Sequence, residues 1–128
     1  DFFKRILFCY VTGNEDMHLK NFSLITKNGK TTLTPIYDFL NSSIAIKNPE
    51  EEIALTLKGK KSNLKASDFM DYYAKDRLQL NEKAIATILE QMHNAIPKWK
   101  ELLEISFLSD DMKEKYFLLM ETRVQMFK

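Results

Sequence analysis

The segment that most constrains the fold of this chain is an apolar stretch near its start, Phe-Phe-Lys-Arg-Ile-Leu-Phe-Cys-Tyr-Val at residues 2–11. Apolar side chains point in nearly every direction around such a segment, so the rest of the fold has to enclose it. Its length favours a helix, although Phe, Tyr, Ile and Val are also compatible with a strand. We predict a central buried helix over residues 2–11 that ends before Thr12, with Lys4 and Arg5 at an exposed edge.

The composition is that of one folded domain. The chain has 128 residues, of which 45% are hydrophobic, and this supply of apolar side chains is enough for a packed core. With three Gly and three Pro it is neither collagen-like nor of low complexity. The net charge of +1 provides no long-range attraction to nucleic acid or to a membrane surface.

Two absences in the sequence narrow the class of protein further. No apolar stretch approaches the ~18–20 residues that a membrane-spanning helix needs, so we expect no membrane partner. Cys9 is the only cysteine and lies within the apolar stretch, which excludes a disulfide framework and a cysteine zinc site. We therefore predict a cytoplasmic protein in which Cys9 is an inert buried thiol.

A β-hairpin is predicted directly after a polar loop at residues 13–21. Residues 22–26 and 31–34 are rich in β-forming side chains and flank the turn sequence Lys-Asn-Gly-Lys. Asn-Gly is a strong hairpin signal because both residues tolerate a positive φ. Pro35 is expected to end the second strand, since it has no N–H to donate. A third short strand is predicted at residues 53–57.

The rest of the sequence predicts helices. Ser67 and Asn81 are candidate N-caps for two of them, and the second carries apolar residues at helical spacing. Pro97 is expected to interrupt or kink that second helix. Ser109 is expected to begin the last helix. The predicted fold class is therefore mainly α with a small β-hairpin, in a single domain over residues 1–128.

The polar loop has a spacing typical of phosphoryl-transfer enzymes. Asp16 and Asn21 match the D-x-x-x-x-N of a kinase catalytic loop, in which the Asp faces the attacking hydroxyl and the Asn holds a metal ion. A second oxygen ligand is then needed to hold Mg²⁺ against the phosphates. Asp38 suits this role, because the hairpin can fold it back beside the loop. The triplet at residues 38–40 is similar to the kinase DFG motif, with Leu in place of Gly.

Together these residues resemble a known family. Gly-Asn-Glu-Asp-Met-His-Leu-Lys-Asn-Phe-Ser at residues 13–23, followed by Pro-Ile-Tyr-Asp at residues 35–38, is similar to the signature G-N-x-D-x-H-x-K-N-x-S and P-x-Y-D of the HipA-type serine/threonine kinases. Those kinases are the toxins of bacterial type II toxin–antitoxin operons. The loop also resembles the D-x-H-x-x-N of phosphatidylinositol-3-kinase-like enzymes. The resemblance covers about the first 40 residues, and the helical remainder is compatible with the C-terminal lobe of a HipA-like, protein-kinase-like fold.

The resemblance implies a role for each of five residues. Asp16 would be the catalytic Asp, with His18 and Lys20 as motif positions that shape the loop or neutralise phosphate charge. Asn21 and Asp38 would ligate Mg²⁺, and together with Lys20 they would contact ATP. His18 and Lys20 also have plain alternatives, namely a hydrogen-bonded loop histidine and a solvated lysine.

The resemblance also implies partners. The phosphate acceptor would be a Ser or Thr of a protein, which in some family members is an aminoacyl-tRNA synthetase. An antitoxin that commonly binds operator DNA would hold the kinase in check, so DNA contact would be indirect. The sequence contains no Gly-rich phosphate loop and no strand with a nucleotide-pairing Lys. We expect the chain to be the C-terminal lobe of a longer protein, whose N-terminal lobe completes the ATP site, and to be inactive alone.

Other functions stay open at this point. An inactive kinase relative would act as a binding or regulatory partner of a DNA-bound antitoxin. A small-molecule kinase of the aminoglycoside-phosphotransferase type shares the Asp/Asn/Asp arrangement. A metal-dependent nuclease would use Asp16, His18 and Asp38. The lysine-rich residues 58–65 are either a solvated loop or a contact for phosphate, tRNA or operator DNA.

Overall fold

The computed structural model describes residues 1–46 and 50–128, which are mostly helical with one antiparallel two-stranded sheet. In chain order the elements are helix α1 (Phe2–Thr12), a single 3-10 turn (Leu19–Asn21), strands β1 (Leu24–Lys27) and β2 (Lys30–Leu33), a π-helix (Asp68–Arg77), and helices α2 (Glu82–Glu104) and α3 (Asp110–Gln125). The predicted fold class, mainly α with a small hairpin, is confirmed.

Helix α1 is the central element, as the apolar stretch predicts. Seven of its eleven residues are buried, and it extends one residue past the predicted end. It ends in a Schellman motif: the Gly13 N–H donates to the Tyr10 carbonyl at 3.2 Å and the Asn14 N–H to the Cys9 carbonyl at 2.9 Å. Gly13 has φ +75°, which directs the chain sharply into the polar loop.

The hairpin forms as predicted. The two strands pair in a register that sets Leu24 opposite Leu33. Asn28 and Gly29 form the two-residue turn with φ of +51° and +72°, the positive values that a type I′ turn requires.

Arg5 attaches the end of the hairpin to α1. Its guanidinium donates to the carbonyl of Thr34 at 2.6 Å and lies 5.8 Å from the centre of the Phe22 ring. The side chain is half-buried as a result, whereas Lys4 is exposed. The prediction of an exposed edge is therefore right for Lys4 and wrong for Arg5.

The predicted third strand at residues 53–57 is wrong. Ile53, Ala54 and Leu57 are buried in the core, but this stretch is irregular apart from one isolated bridge between Leu57 and Lys60. The chain reverses after Leu57, but within the described residues the pairing there stops at this single bridge, so no ladder forms. The apolar residues are buried here without forming a strand.

Helices α2 and α3 begin at the predicted caps. The Asn81 side chain accepts from the Ala84 N–H at 2.8 Å, and the Ser109 hydroxyl accepts from the Met112 N–H at 3.4 Å. Pro97 does not interrupt α2, which continues through it to Glu104. Buried residues on both sides of this proline hold the helix against the rest of the core.

The first helix after the hairpin differs from its prediction at its start, and it closes with unusual hydrogen-bond spacing. Ser67 is not a cap, because its backbone is already helical and its side chain makes no cap hydrogen bond. Instead the Asp68 carboxylate accepts from the Lys65 N–H at 3.0 Å. At the other end the Leu78 N–H donates to the carbonyl of Tyr73, five residues back, at 3.0 Å. This longer spacing is that of a π-helix.

The core is built around α1. This helix packs against α3 and the π-helix, and α2 contacts the same two elements. The rings of Tyr10 and Phe69 lie 4.8 Å apart, and Phe127 meets Phe69 edge-on at 5.4 Å. Among the residues described, no helix is both long and apolar enough to cross a bilayer.

Burial makes the stability of the core sensitive to high pH. Burial raises the pKa of Cys9 from 9.0 to about 12, and the pKa values of Tyr10 and Tyr73 from 10.0 to about 12. Because these folded-state values exceed the unfolded ones, the stabilisation is complete below pH 9 and is lost as pH rises toward 12. We expect the free energy of unfolding, measured by denaturant titration, to fall by a few kcal/mol over this range. A Tyr10→Phe variant should show a shallower fall, and a flat profile in the parent would contradict the prediction.

Candidate active site

The polar loop after α1 is held from its inner side. Asn14 is 1% exposed, and its side-chain oxygen accepts from the Asp16 N–H at 3.0 Å. The Asp16 carbonyl accepts from the His18 N–H at 2.8 Å and from Asn21 Nδ2 at 3.0 Å. Met17 is buried between Asp16 and His18, both of which are exposed. The loop is therefore anchored by Asn14, Met17 and Asn21 while it presents Asp16 and His18 outward.

The side chains of Asp16 and His18 form a pair on this outer surface. His18 Nε2 lies 3.4 Å from Asp16 Oδ1, and the two side chains are 47% and 55% exposed, respectively. A pair this exposed adds little to stability, so its main effect is to restrict where the carboxylate points.

Asn21 is the buried member of the predicted set, at 4% exposure. Its Nδ2 atom is committed to the Asp16 carbonyl. The Oδ1 atom, which is the one a metal ion would take, makes no hydrogen bond within residues 1–46 and 50–128. The Asn21 amide thus stabilises the loop through its nitrogen and offers its oxygen to a ligand.

Tyr37 joins the segment that carries Asp38 to the same loop. Its hydroxyl donates to the Lys20 carbonyl at 3.2 Å and lies 2.6 Å from the Ser23 hydroxyl oxygen. Asp38 follows directly, with a left-handed backbone at φ +53° that Asp adopts more readily than most residues. The hairpin therefore returns the chain to the polar loop at Tyr37, and Asp38 is the next residue.

The charged ends of Asp38 and Lys20 both face outward. In the part of the chain that the structure describes, neither side chain makes a hydrogen bond or an ion pair, and both residues are exposed. Direct contacts bring together Asp16, His18 and Asn21. Asp38 is connected to them through its neighbour Tyr37, whose hydroxyl donates to the Lys20 carbonyl. Behind Asp38, the Phe39 ring stacks on that of Phe8 in α1 at 4.8 Å.

A cavity of about 570 Å³ opens beside Asp16. It connects the polar loop with the chain that follows Asp38 and ends near residues 50–51. Its lining residues are Glu15, Asp16, Leu40, Ser42, Ile46, Glu50 and Glu51. Space for a bound molecule therefore exists next to the exposed carboxylate.

No cluster of three or more His, Cys, Asp or Glu side chains within the described ranges is arranged to hold a metal ion. A metal at this site would have Asp38 and Asn21 as its predicted protein ligands. Mg²⁺ is commonly bound in this way, by one or two protein oxygens with phosphate oxygens and water completing the octahedron.

Sequence reasoning missed two contacts at this site. It gave Tyr37 no role and assigned Ser23 to a strand, but Ser23 lies just before β1 and bonds to the Tyr37 hydroxyl. Both residues are fixed positions of the signature, and that was the available signal. Glu15, Ser42 and Ser43 also meet beside Asp16, and no motif marks them.

The comparison with protein families assigns the chain to a class. The family model of the HipA-like C-terminal domain matches residues 1–100, a range that includes every predicted site residue. The chain therefore belongs to the family of HipA-like C-terminal domains, and the resemblance found in its loop is confirmed at that level.

Two curated relatives extend this assignment. A Haemophilus influenzae protein named "Putative kinase" is 50% identical over 44 residues, which are 34% of this chain and 13% of that protein. A Sinorhizobium fredii protein named "Putative kinase Y4dM" is 37% identical over 87 residues, which are 66% of this chain and 21% of that protein. The chain thus matches about a fifth or less of the length of these relatives. A relationship to kinases is supported at the level of the family.

Proposed function

We propose that this chain is the C-terminal lobe of an ATP- and Mg²⁺-dependent serine/threonine protein kinase. The observation that carries the proposal is the organisation of the loop around Asp16. The Asn21 amide bonds to the Asp16 carbonyl, and the Tyr37 hydroxyl ties the Asp38 segment to the same loop. These two contacts support a site in which Asp16 faces solvent while Asn21 and Asp38 lie on segments joined to the same loop.

The donor atoms fit a magnesium ion. Asn21 offers an amide oxygen and Asp38 a carboxylate, and Mg²⁺ prefers such oxygen ligands. When bound, the metal would neutralise the negative charge that develops on the phosphates during transfer. Because the Asn21 Nδ2 atom is already engaged, its oxygen is held in a defined direction.

Asp16 is the proposed catalytic residue. Its exposed carboxylate accepts the proton of the attacking hydroxyl, or orients that hydroxyl toward the phosphate. His18, at 3.4 Å, restricts the direction of the carboxylate. The Lys20 ammonium is exposed and free to neutralise phosphate charge. Positioning and charge neutralisation account for this chemistry without a covalent intermediate.

The remaining parts of the proposal concern molecules outside this chain. The acceptor is a Ser or Thr of a protein, with an aminoacyl-tRNA synthetase as the candidate. An N-terminal lobe of the same protein covers the nucleotide, and an antitoxin restrains the kinase and provides its only link to DNA. These reactions are proposed to occur in the cytoplasm.

Replacing Asp38 tests the metal site. In the full-length protein, Asp38→Asn should raise the Mg²⁺ concentration for half-maximal phosphate transfer by at least about tenfold, because a neutral amide binds Mg²⁺ more weakly than a carboxylate. The measurement is the initial rate with radiolabelled ATP across a Mg²⁺ titration. Asp76→Asn, which removes an exposed carboxylate on the π-helix, is the matched control and should leave the titration unchanged.

The same experiment separates the proposal from its main alternative. If the parent protein transfers no phosphate and Asp38→Asn still arrests growth as strongly as the parent, the protein acts by binding rather than by catalysis. A loss of both phosphate transfer and growth arrest supports the kinase.

A further inference from the structure

A buried set of hydrogen bonds, which we call the serine clamp, joins the loop that precedes Asp16 to the segment that follows Asp38. The backbone N–H groups of Ser42 and Ser43 both donate to the Gly13 carbonyl, at 3.0 Å each. The Ser42 hydroxyl oxygen accepts from the Glu15 N–H at 2.8 Å. The Ser43 hydroxyl donates to the Glu15 carboxylate. The serine clamp thus consists of Gly13, Glu15, Ser42 and Ser43.

Glu15 is the unexpected member of this set, because a carboxylate that is only 9% exposed is costly unless it is paired. Its hydrogen-bond partner is the Ser43 hydroxyl. The guanidinium of Arg123 on α3 is buried nearby: burial lowers its pKa, and the charges of Tyr10, Glu52 and Glu15 oppose that shift. Arg123 itself donates to the Tyr10 carbonyl at 2.6 Å. The Glu15 carboxylate therefore has a hydrogen-bond donor on the segment after Asp38 and a favourable charge on α3.

Along the chain, the members of the serine clamp lie on either side of the two proposed functional carboxylates. Asp16 follows Glu15 directly, and Ser42 comes four residues after Asp38. Both Glu15 and Ser42 also line the cavity beside Asp16. The contacts of Glu15 with Ser42 and Ser43 therefore act on the connection between the Asp16 loop and the segment that carries Asp38.

We propose that Glu15 is a positioning residue for phosphoryl transfer, which acts by holding the Ser42–Ser43 segment so that Asp16 and Asp38 keep a fixed separation. This inference rests on the proposed function. Glu15 occupies a variable position of the signature, so the motif assigns it no role. Glu15 matters through geometry, because misplacing a reacting group by about 1 Å lowers the rate by about 10²-fold.

The contacts of the serine clamp allow positioning to be tested without unfolding the protein. The backbone bonds from Ser42 and Ser43 to Gly13 remain when a side chain is changed. In Glu15→Gln the Ser43 hydroxyl still has an acceptor, but a weaker one, because hydrogen bonds to a charged group are roughly twice as strong as neutral ones. Ser43→Ala removes the hydroxyl, and Ser43→Thr keeps it.

Steady-state kinetics of the full-length protein provide the first test. Glu15→Gln and Ser43→Ala should lower kcat by about 10- to 100-fold, with the KM for ATP changed less than about threefold. Ser43→Thr should recover kcat to within about threefold of the parent, since the hydroxyl is restored. Glu90→Gln, on the exposed face of α2, is the control and should behave as the parent. If kcat for both Glu15→Gln and Ser43→Ala stays within about twofold of the parent, the inference is wrong.

Amide hydrogen exchange provides a second test that does not depend on activity. Glu15→Gln should speed exchange in the peptides that cover residues 13–21 and 36–46 by about fivefold or more, and leave α2 and α3 unchanged. Faster exchange throughout the protein would show a general loss of stability and overturn the inference, as would unchanged exchange in both peptides. If the parent transfers no phosphate, the proposed function fails by itself, and the exchange pattern alone decides whether Glu15 holds the two segments together.

Discussion

Asp16→Asn in the full-length protein should lower kcat for phosphate transfer by about 10³-fold, within the range that proton transfer by a positioned side chain contributes. The carboxamide has almost the same shape but cannot accept the proton of the attacking hydroxyl. The loop should keep its structure, because the Asn14 oxygen, the His18 N–H and the Asn21 amide bond to the backbone of Asp16. The carboxylate itself pairs with the exposed His18 ring, a contact that adds little to stability. The measurement is single-turnover phosphate transfer to a Ser- or Thr-containing protein, together with autophosphorylation.

Two comparisons make this prediction specific. Asp76→Asn removes a distant exposed carboxylate and should leave kcat unchanged. His18→Ala removes only the neighbour that restricts the Asp16 carboxylate. It should therefore lower kcat by less than Asp16→Asn does. A kcat for Asp16→Asn within about threefold of the parent would show that Asp16 is not the catalytic residue.

Gly13→Ala should lower the free energy of unfolding by about 2–4 kcal/mol, the sum of a backbone cost and a steric cost. Gly13 has φ +75°, a conformation that disfavours a Cβ atom. That Cβ would also lie 2.6 Å from Leu119 Cδ2 and 2.7 Å from Asn41 Oδ1. Gly13 ends α1, and its carbonyl accepts the N–H groups of Ser42 and Ser43. The strain therefore falls on the connection between the core and the site. Thermal and denaturant unfolding of the full-length protein measure the effect.

Gly29→Ala is the matched control for Gly13→Ala. Gly29 has nearly the same φ, +72°, but no atom lies within 4 Å of where its Cβ would be. Only the backbone cost applies there, so the loss should be about 1 kcal/mol. If the two variants lose the same free energy, the close approach of Leu119 and Asn41 to Gly13 is not a source of strain.

Strong local signals predicted those parts of the fold that neighbouring residues determine. The Asn28-Gly29 turn formed because its two positive φ values match the twist of a hairpin. Asn81 and Ser109 capped their helices because each supplies an oxygen to a nearby unpaired N–H. The apolar stretch at residues 2–11 became the central helix because no other placement would bury it on every side.

Predictions for residues whose structure depends on distant parts of the chain were wrong in three places. Residues 53–57 have the composition of a strand, but a strand needs a continuous ladder with a neighbour, and here the pairing stops at the Leu57–Lys60 bridge. Arg5 is charged and is therefore expected at the surface, but its guanidinium donates to the carbonyl of Thr34 and is half-buried as a result. Pro97 removes one hydrogen bond from α2, yet packing along the rest of the helix outweighs that loss.

The sequence by itself determined which residues are candidates for the site and which family the chain belongs to, because spacing within one loop is a local property. Only the tertiary structure decided what holds that loop in place. Tyr37 ties it to the Asp38 segment, and the buried Glu15 carboxylate accepts from the Ser43 hydroxyl. These contacts join residues 17 and 28 positions apart, and no local pattern encodes them because they depend on how distant segments pack.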